Sequence, residues 1–196
     1  IASCLSERGV RVTIPTRRRE NTKKLIMLPM VSMVEANVHD PQVLGQLMQG
    51  QDAVINLVGV LHDTDSRLPY GRGFQAAHVD LPKKIIAAMR ENGVRRLVHM
   101  SALRAGINAP SEYLRSKGDG EAAVRSAMNE LDVTVFRPSV IFGPDDAFLN
   151  MFAKLLRLFP VLPLGGGSAR FQPVYVGDVA RAFADSLTDG ATFGQT

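Results

Sequence analysis

The sequence predicts an α/β fold built on a mostly parallel, doubly wound sheet with helices on both faces. Three observations predict it. Short apolar runs with strand character alternate with helical patterns of roughly 10–20 residues along all 196 positions. The run Ala53 to Val58 is nearly continuously apolar, as expected of a strand covered on both faces. Internal repeats and low-complexity tracts, which would point to other architectures, are absent from the sequence.

The elements follow in order. Ile1 to Arg8 reads as the end of a helix, with Ile1 and Leu5 on one face and Gly9 as its stop. Val10 to Thr16 and Val31 to Ala36 read as strands. Asp40-Pro41 opens a helix that runs to Met48 and stops at Gly50. Ala53 to Val58 is the third strand, followed by a polar, glycine-bearing loop from Gly59 to Gly73. The next helix ends at Asn92-Gly93, and Pro82 either kinks it or marks its first turn. Arg95 to Met100 is a fourth strand. A helix bearing Tyr113 and Lys117 is expected to reach about Leu131, and Asp132 to Arg137 is a fifth strand ended by Pro138. Phe148 to Leu158 reads as an amphipathic helix and 160–168 as a turn-rich loop. Asp178 is expected to cap a last helix, Val179 to Leu187. One domain over 1–196 accommodates all of this.

Composition narrows the function. Hydrophobic residues at 45% and charged residues at 21% give the balance of an ordinary globular protein. No apolar run approaches the roughly 18 residues that span a bilayer. A single cysteine, Cys4, excludes an internal disulfide framework and suits a reducing compartment, so a cytoplasmic location is expected. Four scattered histidines and one cysteine give no metal-site spacing, and no metal is expected. The net charge of +4 is concentrated in Arg17, Arg18, Arg19, Lys23 and Lys24. With no aromatic residue among them and no tryptophan anywhere, this cluster argues against a nucleic-acid surface.

The chemistry-bearing pattern is Tyr113-Leu114-Arg115-Ser116-Lys117, just beyond a buried strand that ends at Ser101. Residues four apart on a helix share a face. An ammonium near a phenol favours the phenolate, so Lys117 is expected to lower the Tyr113 pKa and fit it for proton transfer. The Ser101 hydroxyl is the candidate partner of a substrate carbonyl or alcohol. In a parallel sheet, ligands bind at the carboxyl ends of the strands. Here those ends are Thr16-Arg17, Asn37, Gly59, Ser101 and Pro138-Ser139.

Taken together, several segments resemble the extended and atypical branch of the short-chain dehydrogenase/reductase superfamily. They are Asn56-Leu57-Val58-Gly59, the Ser101 strand end, Tyr113-x-x-x-Lys117, Arg137-Pro138-Ser139-Val140-Ile141-Phe142-Gly143-Pro144, and Phe171-Gln172-Pro173-Val174-Tyr175-Val176-Gly177-Asp178-Val179. The similarity covers essentially the whole chain. In detail it is nearest the group related to the NADPH-binding accessory subunit of respiratory complex I. The resemblance implies a Rossmann-like fold with a dinucleotide lying across the strand ends. It implies Tyr113 as the acid/base, Lys117 as its activator and a ribose contact, and Ser101 as the carbonyl partner. Asn37 stands where the family usually has an acid near the adenine, with Val38 beside it. His78 stands where many extended members carry Asn.

The cofactor-binding positions implied are Arg17, Arg18, Asn37, Val38, Leu57, Val58, Gly59, Val60, Lys117, Pro138, Ser139 and Val140. An arginine after the family's second strand, which is Val10 to Thr16 here, accommodates the 2′-phosphate of NADP, so NADP(H) is expected ahead of NAD(H). Two functions follow from the resemblance. One is an oxidoreductase or epimerase acting on a small or nucleotide-linked substrate. The other is a non-catalytic NADPH-binding accessory or assembly protein of a respiratory or quinone-pathway complex. For the second, contact with a protein complex or with the inner-membrane surface is expected, for which the helix 148–158 and the apolar flank 160–164 are candidates. A homodimer through the Tyr113 helix remains open by analogy. The family's first strand and glycine-rich phosphate loop should precede the helix containing Ile1, and Phe193 to Thr196 reads as the entry to another strand. The chain is therefore expected to be an internal piece of a longer protein.

Overall fold

In the computed structural model, residues 1–65, 67–144, 146, 148–158 and 170–196 are described. The loop expected at 160–168 and the flank 160–164 lie outside the described residues. Helix α1 (Ala2–Glu7) leads into β1 (Val12–Thr16), which pairs in parallel with β2 (Val31–Glu35). A 3-10 helix, Arg19–Leu25, connects them. Helix α2 (Pro41–Met48) begins at Asp40, whose carboxylate accepts from Gln42 N–H, with Pro41 in the first turn, as the sequence predicts.

Strands β3 (Ala53–Asn56), β4 (Arg96–Met100) and β5 (Asp132–Phe136) form a second parallel sheet, with β4 central. β1 and β3 are not hydrogen-bonded to each other. Between them lies a cleft of about 140 Å³ lined by Thr13 and Pro15 on one side and Ala53 to Asn56 on the other.

Alternation along the strands sorts the two faces. Leu97 of β4 and Val133 and Val135 of β5 join the buried core with Leu44 and Met48 of α2, Ile85 and Met89 of α4 (Leu81–Glu91), and Val124 of α5 (Glu112–Arg125). Phe136 points the other way and stacks on Phe183 of α7 (Val176–Ser186), with ring centroids 4.3 Å apart. α1 joins this second layer through Arg8, which pairs with Asp185 of α7 at 2.6 Å. At the amino end of β4, Arg96 is buried and donates to the carbonyls of Asp132 (2.6 Å), Ser186 (2.5 Å) and Leu187 (3.2 Å). That one side chain joins the sheet to the end of α7. Residues 194 and 195 bridge to β5 in parallel, through Gly194 N–H to Val133 O and Val135 N–H to Gln195 O.

Several expected boundaries shift for local reasons. β3 stops at Asn56 because its side-chain oxygen accepts from Val58 N–H and turns the chain, leaving Leu57 and Val58 exposed. α5 is capped by Ser111, which accepts from Leu114 N–H, and it ends at Arg125 rather than near Leu131. The last helix begins at Val176 with Tyr175 as its cap position. Asp178 thus lies inside the first turn and pairs with Arg181 instead of capping. The helix before β4 starts as α3 (Arg72–Phe74), widens into a π-helical Gln75–Asp80, and continues as α4. Pro82 lies in the first turn of α4 and lacks the N–H that the His78 carbonyl, four residues back, would otherwise meet. Gly120 of α5 packs on that carbonyl so closely that a Cβ there would lie 1.8 Å from it. The remaining short elements are β6 (Ile141–Phe142), paired in parallel with β7 (Val174–Tyr175), and α6 (Phe148–Leu158) where expected.

Candidate active site at the carboxyl edge

The carboxyl ends of β3, β4 and β5 carry the predicted residues, and helix α5 lies against them. The exit of β4 is held to β5 by Ser101 N–H to Phe136 O (2.7 Å) and Leu103 N–H to Pro138 O (2.9 Å). Ser139 and Val140 are half-buried just beyond, and Val140 O accepts from Val174 N–H at 3.0 Å. Leu57, Val58, Gly59 and Val60 form an exposed turn after β3. Across the cleft, Thr16 shapes the end of β1. Its hydroxyl donates to Arg18 O (2.9 Å) and accepts from Arg18 N–H (3.3 Å), so the chain presents Arg17 and Arg18 exposed. Asn37 is exposed after β2, its side chain accepting from His39 N–H at 3.1 Å, and Val38 lines the cleft. The predicted cofactor positions therefore fall along one edge, in two groups on either side of the gap.

Tyr113 and Lys117 share one face of α5, one turn apart. The electrostatics differ from the sequence expectation. Burial raises the Tyr113 pKa above its ordinary value, and no lowering by Lys117 accompanies it. The Lys117 ammonium is buried and donates to the Met100 carbonyl at 2.5 Å. Desolvation lowers its pKa to about 8, opposed by the nearby Glu121 carboxylate. Lys117 is thus held inward at the end of β4.

Ser101 is 2% exposed, and its hydroxyl donates to Glu121 Oε2 at 2.6 Å. Arg137 forks onto the same carboxylate, Nε to Oε2 at 2.8 Å and Nη2 to Oε1 at 2.5 Å. Burial would raise the Glu121 pKa, but the bonds from Arg137 and Ser101 outweigh it and hold the carboxyl below its usual range. The Ser101 hydroxyl is therefore engaged in a buried ionic network with Glu121 and Arg137.

Two histidines complete the interior of the site. His99 of β4 accepts at Nδ1 from the Asn56 amide (3.1 Å), which places its proton on Nε2. Burial, then the Lys117 charge, lowers its pKa to about 3. His78, 2% exposed, packs against the rings of Phe74 and Tyr113, each 5.5 Å away. Beyond it, Tyr70 donates to Asp119 at 2.7 Å, and Arg115 donates to Pro69 O at 2.9 Å and Ala109 O at 3.0 Å, tying the loops on both sides to α5.

Sequence reasoning missed Glu121, Arg137 and Asn56 as members of this network. Glu121 had a signal, since it stands four residues after Lys117 on the same helical face. Among the described residues no cluster of His, Cys, Asp and Glu could hold a metal ion, and no helix is long and apolar enough to cross a membrane.

A parallel sheet with helices on both faces, carrying Tyr and Lys one turn apart at its carboxyl edge, defines a dinucleotide-fold protein of the dehydrogenase/epimerase kind. The chain belongs to the NAD dependent epimerase/dehydratase family, whose pattern it matches over residues 1–194. It is 32% identical over 199 residues to the mitochondrial NADH dehydrogenase [ubiquinone] 1 alpha subcomplex subunit 9 of Arabidopsis thaliana, covering 98% of this chain and 48% of that protein. It is 29% identical over 150 residues to a ceramide reductase of Caulobacter vibrioides, covering 76% of this chain and 45% of that one. The chain thus spans about half the length of the curated relatives it matches. Among solved structures, UDP-glucuronic acid 4-epimerase of Bacillus cereus in complex with UDP-glucuronic acid and NAD superposes with a TM-score of 0.77 at 17% identity, covering 98% of this chain and 72% of that one.

Proposed function

We propose that the protein containing this chain binds NADP(H) along the carboxyl edge and uses Tyr113 to exchange a proton with a small or nucleotide-linked substrate, as an oxidoreductase or epimerase. The observation that carries this is the Tyr113–Lys117 pair on α5, set against the ends of β3, β4 and β5 in a chain of this family. The residues present suit a dinucleotide. Arg17 and Arg18 offer exposed guanidinium groups of the kind that fork onto phosphate. Leu57, Val58 and Val60 offer exposed apolar surface at a strand end, where an adenosine would lie. Asn37 and Val38, Gly59, and Pro138 to Val140 would line the remainder, and the bound nicotinamide would supply the hydride.

This chain's own residues then have separate roles. Tyr113, half-buried against Phe74 and His78, keeps its proton near neutral pH and acts as the acid. Lys117 donates to Met100 O, and its ammonium has two further donors with which it would reach a ribose. Glu121 and Arg137 hold the β4 exit rigid through Ser101. The Tyr113→Phe variant of the full-length protein tests this. Substrate turnover should vanish while the affinity for NADPH stays within about threefold, since one hydroxyl's bond is a small part of cofactor binding.

A second reading is favoured by Ser101, whose hydroxyl is occupied by Glu121. In it the protein binds the dinucleotide without turnover and supports a respiratory or quinone-pathway assembly, peripheral to the inner membrane. Similarity to subunit 9 of the mitochondrial NADH dehydrogenase supports this reading. Bound cofactor that neither exchanges nor oxidises would favour it.

A further inference from the structure

We infer that His78, neutral and protonated on Nδ1, is a positioning residue that fixes the turn after β3 against the helix carrying Tyr113 and Lys117. This rests on reading that turn as part of the dinucleotide site.

The hydrogen bonds leave one assignment. Nε2 of His78 accepts from the Val60 backbone N–H at 3.0 Å, so it carries no proton. Nδ1 therefore bears the proton and donates to Ser116 Oγ at 2.8 Å. The Ser116 hydroxyl in turn donates to Tyr113 O at 2.9 Å. Every donor has one acceptor, and the chain of bonds runs from the strand-end turn through the ring into α5. Shape supports it as well. A side chain at Gly59 would place its Cβ 3.3 Å from His78 Nε2, tighter than ordinary van der Waals contact, so glycine there leaves the ring its room. Phe74 and Tyr113 fix the plane of the imidazole, and Gly120 fixes the His78 backbone.

The titratable groups facing the ring are Lys117 and Tyr113 from α5 and His99 from β4. On its own helix, Asp80 is engaged by Gln75 at 2.7 Å. Burial, then the Lys117 charge, lowers the His78 pKa to about 4. A proton on Nε2 would also confront the Val60 N–H, donor against donor. The acceptor is therefore permanent under ordinary conditions, and Val60 is held in one place.

Three variants of the full-length protein separate positioning from packing. In His78→Gln the side-chain oxygen still reaches the Val60 position. In His78→Asn the shorter amide reaches only the Ser116 position, and His78→Phe fills the space without an acceptor. The NADPH dissociation constant should rise about tenfold in the Asn and Phe variants and stay within about threefold in the Gln variant. The nucleotide-free melting temperature should fall alike in the Asn and Gln variants. Unchanged affinity in all three, or a Gln variant as weak as Asn, would overturn the inference. If the wild type binds neither NADPH nor NADH, the dinucleotide reading has failed, and exchange of the Val60 amide then decides. Slow exchange in the wild type and the Gln variant with fast exchange in the other two supports the role of His78, and equal exchange in all four refutes it.

Discussion

Ser101 and Glu121 share a 2.6 Å hydrogen bond inside the candidate site, from a strand end to a helix one layer away. Arg137 closes the same carboxylate from β5's exit. The edge of the site is thus braced by a buried charge with partners on two other elements. A carboxyl held below its ordinary pKa contributes stability above its unfolded value and loses it as the pH falls through the folded value. Unfolding free energy of the wild type should therefore decline on acidification below about pH 4.5. Glu121→Gln should cost about 3 kcal/mol at pH 7, because Arg137 and Lys117 lose their counter-charge, and should lack that component of the acid decline. Urea titrations at several pH values measure both.

Lys117 gives the same sign of pH dependence in a separate, alkaline window. Burial lowers its folded pKa to about 8, so the unfolded chain binds more protons between about pH 8 and 10. Stability should rise over that window in the wild type and rise less in Lys117→Met. Equal slopes would show that the ammonium is solvated.

Gly120 has a backbone role. A Cβ at this position would meet the His78 carbonyl at 1.8 Å, and that atom cannot move without shifting the π-helical turn. Gly120→Ala should destabilise the fold by about 3 kcal/mol, an overpacking cost against backbone. Gly45→Ala, which meets nothing within 4 Å, is the control and should be neutral or stabilising in thermal melts.

Much of this was legible in the sequence. Alternating apolar strands and capped helices predicted the parallel sheet, and the Asp40-Pro41 start of α2 came out as read. Tyr113 and Lys117 fall on one face because helical spacing alone requires it. What the sequence could not carry was direction. Lys117 points to Met100 O and Ser101 to Glu121 because burial forces each polar group to its nearest partner, and those partners lie 17 and 20 residues away. The end of β3 was misread for a similar reason. An Asn56 side chain bonding two residues ahead ends the strand inside an apolar run.

Arg96 marks the amino edge of the sheet, away from the candidate site. Its donors meet the carbonyls of Asp132, Ser186 and Leu187, and its guanidinium lies 4.4 Å from the Phe193 ring centroid. Arg96→Ala should cost about 3 kcal/mol or more, since each buried acceptor left unpaired costs about 1–3 kcal/mol. Nucleotide affinity measured below the melting transition should not change.

The most direct test is a fluorescence titration of the full-length protein with NADPH and NADH in parallel. NADPH should bind more tightly, with the preference lost in Arg17→Ala/Arg18→Ala while NADH affinity is retained. Binding of neither nucleotide would contradict this, and would leave a dehydrogenase-like scaffold whose role is to hold partners.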